Sequence, residues 1–324
     1  MAKKPYKVDL PVLLVFFVRD EPLKRVFDRI REARPSKLYL CQDGPRKNRP
    51  DDIIQIQKCR DIVSHIDWTC QVFTNFAQEN QGCDPNIYRG LKWIFSHEDR
   101  MLMLEDDAIP DLTFFRFCAE MLERYQFDTR IHTISSLNLT ERWDPCPYDY
   151  FFSYTHTLSG GWASWKRCWE ERSETLELID NSYATHLFRQ HYHPRYSANY
   201  ELILYRKRQQ QILKTGRIMS FEAMLTYGMA FQHQLSIVPT RNMLNNIGLT
   251  AEATHGTINP RHLPKPIRKI FFMSCYAMPE KIKHPQFVLP DKDYYIQVGK
   301  ILGWHPIKSL WRKLEGRLRR IFIK

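Results

Sequence analysis

Met101-Leu-Met-Leu-Glu-Asp-Asp107 decides the fold. A short apolar run stops at three consecutive carboxylates, and Pro110 follows three residues later. An apolar run bounded by a Pro-containing turn predicts a buried strand. The acids at its exit cannot stay unpaired in a core, because burying an isolated charge is costly. They must face water, a cation or a metal. Ligands bind at the carboxyl ends of strands in an open α/β sheet. Carboxylate oxygens there suit Mg²⁺ or Mn²⁺, with phosphate oxygens completing the shell. The plainer reading is an acidic turn that caps the next helix, since Asp111 precedes a helical pattern over residues 112–125.

The flanking segments favour the sheet. Pro11-Val-Leu-Leu-Val-Phe-Phe-Val18 is the continuous apolar run expected of a central parallel strand. Arg19-Asp20 closes it, and Pro22 opens a helix whose Leu23, Val26, Phe27 and Ile30 recur at helical spacing. Lys37-Leu-Tyr-Leu-Cys41 predicts a second strand ending in Gln42-Asp43-Gly44-Pro45. Residues 51–63 predict a second helix, 68–73 a third strand and 85–95 a third helix. Strand and helix alternating in this way predict an α/β fold: a mostly parallel central sheet with helices on both faces and right-handed crossovers.

Gly is scarce, with 12 in 324 residues, and no Gly-rich phosphate loop appears. Any nucleotide must therefore be held by side chains and a metal. The 8 cysteines lack CxxC or Cys/His zinc spacing, and Cys41, Cys70 and Cys118 sit in apolar or amphipathic runs. Buried free thiols and a reducing compartment are expected. Met1–Leu10 has no signal-peptide core, and the run at 12–18 is too short to span a membrane. A cytoplasmic protein is expected.

In order, Arg19 after a strand, Gln42-Asp43-Gly44, Glu79-Asn80-x-Gly82-Cys83, Leu104-Glu-Asp-Asp107 and Gly161-Trp-Ala-Ser-Trp165 resemble nucleotide-sugar glycosyltransferases of the GT-A fold. The resemblance is to bacterial hemolytic-protein-like glycosyltransferases and to the N-acetylglucosaminyltransferase I branch, over roughly residues 10–257. It implies Asp107 and His255 toward an Mn²⁺ or Mg²⁺ ion, with Glu105 and Asp106 in support and near ribose. It implies Asp43 on the uracil edge, Arg19 near the phosphates, and Asn80 in a loop that closes over the nucleotide. Gly161 and Trp162 would line the sugar pocket, because an indole stacks on a sugar face. Trp165 and Trp169, four apart, read instead as one buried helix face. An aromatic is usual in the family where this chain has Gly160, which implies extra space there. Phe221-Glu222 stands where the family typically has Trp-Asp, so Glu222 is the candidate general base. Its plainer reading is a Glu after a Ser220 cap.

The implied activity is transfer of a sugar from a UDP-sugar to a glycan or lipid-linked glycan, with inversion, in bacterial surface polysaccharide synthesis. The enzyme would be of the hexosyl- or N-acetylhexosaminyltransferase type. The expected organisation is a GT-A domain over residues 1–260, split into a nucleotide-binding half (10–110) and an acceptor half (111–260), with a C-terminal extension over 261–324. A nucleotidyltransferase or nucleotide-sugar pyrophosphorylase is the rival enzyme. It normally needs a Gly-rich basic loop after the first strand, and Phe17-Val-Arg-Asp-Glu-Pro22 has no Gly. A non-catalytic membrane-associated scaffold is the rival outside enzymes.

Formal net charge is +12. The tail puts Ile307, Leu310, Trp311, Leu314, Leu318 and Ile321 on one helical stripe, with Lys and Arg on the other faces. A basic amphipathic helix of this kind predicts contact with an anionic membrane surface, hence a peripheral protein on the inner face of the cell membrane. A helix docked on the domain is the plainer reading. No nucleic-acid-binding module is present, so no nucleic-acid partner is expected.

Overall fold

The computed structural model describes residues 3–155, 158–217, 220–248 and 262–322. Along the first third of the chain, strands and helices alternate: β1 (Val8–Phe16), α1 (Asp20–Ala33), β2 (Pro35–Gln42), α2 (Asp51–Ser64), β3 (Gln71–Phe76), α3 (Cys83–Phe95) and β4 (Arg100–Glu105). Then come β5 (Ala108–Pro110), α4 (Leu112–Arg124), β6 (Ile131–Ser135), β7 (Tyr150–Ser153), β8 (Gly161–Trp165) and α5 (Lys166–Glu170). The chain continues through α6 (Ser182–His191), α7 (Arg195–Thr215), α8 (Phe221–Phe231), β9 (Leu235–Pro239) and β10 (Leu244–Asn246). It ends in α9 (Lys265–Ile270), α10 (Lys292–Leu302) and α11 (Pro306–Phe322).

The central sheet has eight strands in the order β3-β2-β1-β4-β8-β6-β9-β7. The pairs β3-β2, β2-β1, β1-β4 and β6-β9 are parallel, whereas β8 runs antiparallel to both β4 and β6, and β7 to β9. The alternating side chains of β1 explain its central place. Leu10, Val12, Leu14 and Phe16 enter one core with α1 and α4, and Leu13 and Val15 enter another with α3 and α8. A strand buried on both faces needs an unbroken apolar run. The third strand starts later than expected because Trp68 leaves the ladder. Its indole N–H donates to the Pro35 carbonyl at 2.8 Å, and the ring is fully buried.

Asp111 also caps α4, its carboxylate accepting from Thr113 N–H at 2.8 Å. The acidic turn is thus both a strand exit and a helix start. Trp165 and Trp169 are both buried, but not on one helix face. Trp165 ends β8 and joins the α4-side core, while Trp169 in α5 joins the α3-side core and stacks on Phe95. The switch from strand to helix between them reverses the face.

A third core gathers α6, α7 and α10 around Tyr192, Tyr205, Tyr227, Tyr294 and Tyr295. At its edge His191 stacks on His233, with ring centroids 3.6 Å apart. Burial first, then the charges of His233, Lys292 and His193, push His191 down from 6.5 to about 4. A depressed folded-state value means the unfolded chain takes the proton first. The stabilisation from neutral His191 is therefore complete above pH 6.5 and lost as pH falls toward 4. His191→Gln should remove part of the acid-side decline of thermal stability in that window. A variant whose melting profile declines as steeply as the parent contradicts this assignment.

Candidate functional site

The carboxyl ends of β1, β2 and β4 and the start of α3 enclose a cavity of about 250 Å³. Its walls include Phe17, Arg19, Asp43, Arg46, Asn80 and Asp106. Three segments far apart in sequence thus converge where the sheet geometry directs them.

Glu105 and Asp106 also line the cavity. Asp106 accepts the Phe17 N–H at 3.2 Å and pairs with Arg19, which also reaches Asp107 at 2.9 Å. Burial opposes the Arg19 charge, but the two aspartates outweigh that and hold its pKa above the ordinary value. Burial, then Asp107, pushes Glu105 up to about 8, against the Gly160 N–H that donates to it at 2.7 Å. Burial also raises Asp106 to about 6, with Arg19 opposing. Among the described residues, one oxygen of Asp107, Oδ1, is buried without a hydrogen-bond partner.

A buried carboxylate oxygen without a partner is a ligand donor that a divalent cation would satisfy. Among the described residues, no three acid, His or Cys side chains form a finished metal cage. Mg²⁺ and Mn²⁺ sites that hold nucleotides commonly use one or two carboxylates, the rest being water and phosphate oxygens. Asp107 with Asp106 fits that pattern. β10 pairs antiparallel with β5 and brings Gly248 over the acids, where an added Cβ would lie 2.1 Å from Asp107 Oδ2. The segment at 242–248 is rich in Asn, with Gly248 at its end. It contains a three-residue strand, because β5 offers an unpaired edge immediately after the acid run. His255 lies outside the described residues.

Asp43 does something its sequence did not reveal. Oδ1 accepts from Gly44 N–H at 2.9 Å and Gln81 N–H at 2.7 Å, and Oδ2 from Asn80 Nδ2 at 2.9 Å and Gly82 N–H at 3.0 Å. Burial raises its pKa, and these backbone donors oppose the rise. Asp43 therefore pins the loop carrying Asn80 to the end of β2, and reading a uracil edge requires it to exchange one of those bonds. Asp43→Ala should lower stability by about 2–4 kcal/mol by stranding several donors. If Asp43 only reads the base, thermal melting instead stays unchanged while the preference for uridine over cytidine nucleotides disappears.

Gly161 and Trp162, expected in a sugar pocket, are buried and do not line the cavity at the strand ends. Trp162 is 1% exposed, facing the α3-side core from β8 between β4 and β6. Strand alternation directs it inward. A Cβ on Gly161 would meet Leu244 at 2.7 Å, so the glycine admits a close side-chain approach rather than a ligand. Nor is there extra space at Gly160. Its φ of +80° needs glycine, Leu244 and Ala108 fill its surroundings, and its carbonyl accepts the Glu105 N–H at 2.9 Å.

Glu222 lies in the first turn of α8, where Ser220 Oγ supplies the cap by accepting from Ala223 N–H at 3.2 Å. Burial first, then Asp84, raises its pKa, with Arg208 opposing. α8 packs against α3, and the Phe221 N–H donates to Asp84 at 3.2 Å beside it. Arg46 is a further rim group. It pairs with Asp52 at 2.7 Å and sits over the Phe17 ring at 5.2 Å. Only its place just after Asp43-Gly44-Pro45 could have signalled it.

No protein-family model and no curated protein matches the sequence. Among solved structures, a UDP-glucose pyrophosphorylase complexed with UDP-glucose aligns with 76% of this chain and 96% of its own, at 9% identity and a TM-score of 0.36. A 4-diphosphocytidyl-2C-methyl-D-erythritol synthase from Anaerococcus prevotii aligns with 54% of this chain and 76% of its own, at 10% identity and a TM-score of 0.30. HddC from Yersinia pseudotuberculosis covers 49% and 78%, at 12% and 0.29. Likeness this distant carries no argument about the reaction.

Proposed function

We propose that the protein is a metal-dependent glycosyltransferase that moves a sugar from a UDP-sugar to a glycan acceptor with inversion. The observation that carries this reading is the cavity at the strand ends lined by Arg19 and Asp106, with Asp107 paired to Arg19 beside it and its other oxygen orphaned. A Mg²⁺ or Mn²⁺ ion held there by Asp107 and Asp106 would stabilise the charge of a departing diphosphate. Arg19, which now pairs with both aspartates, would donate to phosphate oxygens of a bound nucleotide. The loop pinned by Asp43 and Asn80 closes the base side. Glu222, with its pKa raised, suits removal of a proton from the acceptor hydroxyl. The acceptor is a glycan or a lipid-linked glycan, the second of which brings the enzyme to a membrane surface.

Product analysis tests this reading. Incubation with UDP-sugars and Mn²⁺ should release UDP and free or transferred sugar. Formation of UTP from a UDP-sugar and pyrophosphate would instead mark a nucleotidyltransferase. A protein that binds no UDP in the presence of metal is a scaffold.

A further inference from the structure

An amphipathic helix docked on its own domain normally buries its apolar stripe, yet α11 is docked the other way round. One polar edge of it, with Arg312 and Glu315, faces the domain. Arg312 donates to the Lys300 carbonyl at 2.6 Å, and Glu315 accepts from the Lys265 N–H at 3.3 Å. The contact at Gly303 is so close that an added Cβ would lie 2.8 Å from the Arg312 guanidinium. The apolar side is left to solvent: Ile307, Leu310, Trp311, Leu314 and Leu318 are between 41% and 68% exposed.

We propose that the apolar stripe of α11, a helix tied to the domain through Arg312 and Glu315, lies flat on an anionic bilayer. This does not depend on the reaction at the Asp107 site. A contiguous exposed apolar patch calls for a partner. Among the described residues no helix is long and apolar enough to cross a membrane, so the helix lies along the surface. Charge selects the partner. Residues 306–324 carry Lys308, Arg312, Lys313, Arg317, Arg319, Arg320 and Lys324 against the single acid Glu315. A second copy would bring these like charges together, which is costly. Nucleic acid would satisfy the cations and leave the apolar stripe in water. An anionic lipid surface satisfies both, because apolar side chains enter the headgroup boundary while cations meet acidic headgroups. Because α11 is fixed to the domain, the membrane holds the protein in one orientation rather than on a flexible tether.

The test is co-sedimentation of the full chain with phosphatidylcholine vesicles, with and without phosphatidylglycerol, at low and high salt. Binding should be at least about tenfold stronger with phosphatidylglycerol. It should weaken with salt, as exposed charges are screened over about 10 Å at 0.1 M. The double variant Leu310→Glu/Trp311→Glu should lose binding at least about tenfold and melt as the parent does, since both side chains are already exposed. Absence of a preference for phosphatidylglycerol, or undiminished binding by the variant, overturns the proposal. So does a variant that melts earlier, which would place the stripe against its own domain. A parent dimer that the variant converts to monomers also overturns it, assigning the stripe to a second copy.

Discussion

Asp107→Asn should abolish Mn²⁺-dependent UDP binding, by on the order of 100-fold or more. Loss of groups that only orient metal ligands already costs about 10–100-fold, and a direct ligand costs at least that. The fold should survive. The asparagine keeps the main-chain bond in which Ile247 N–H donates to the residue 107 carbonyl at 2.9 Å. It also keeps an oxygen toward Arg19. The variant lacks the negative charge that offsets the cation. Titration calorimetry of UDP with and without Mn²⁺, alongside a thermal melt, separates the outcomes. Unchanged metal-dependent affinity in the variant removes Asp107 from the site.

Glu222→Gln should reduce turnover by about 10²–10⁴-fold and leave UDP binding nearly unchanged, the pattern of an interaction made mainly in the transition state. Ser220 supplies the cap, so the α8 terminus is not disturbed. The parent carboxylate is raised by burial and by Asp84, so the neutral amide should leave stability equal or improved. In the parent, turnover should fall as pH drops through the raised Glu222 value, because a base must be unprotonated. The Glu222→Gln protein should lack that limb. A folded variant with near-normal turnover contradicts the base assignment.

The half of the fold that was legible in the sequence is the half buried on both faces. β1, β2 and β4 declare themselves because every position must be apolar, and α1 and α4 because only one face is. β5 and β10 were hidden because each is three residues long, too short for periodicity to register. At the site, the acid run was legible because three carboxylates are unusual at a buried strand exit. The role of Asp43 was not, since its partners Asn80, Gln81 and Gly82 lie 37 to 39 residues away and only folding brings them near. Trp162 misled because a Gly-Gly-Trp sequence suits a sugar platform as well as it suits a strand. Only the pairing of β8 between β4 and β6 shows that the indole faces the core.

The most direct measurement is a structure of the chain with UDP and Mn²⁺. The expected result places the diphosphate and the ion at Asp107 and Asp106, the nucleoside between the end of β2 and the loop at Asn80, and Arg19 moved from the aspartates onto phosphate. A nucleotide bound elsewhere, or an ion-free site with Arg19 still bridging Asp106 and Asp107 at saturating UDP and Mn²⁺, would contradict the account.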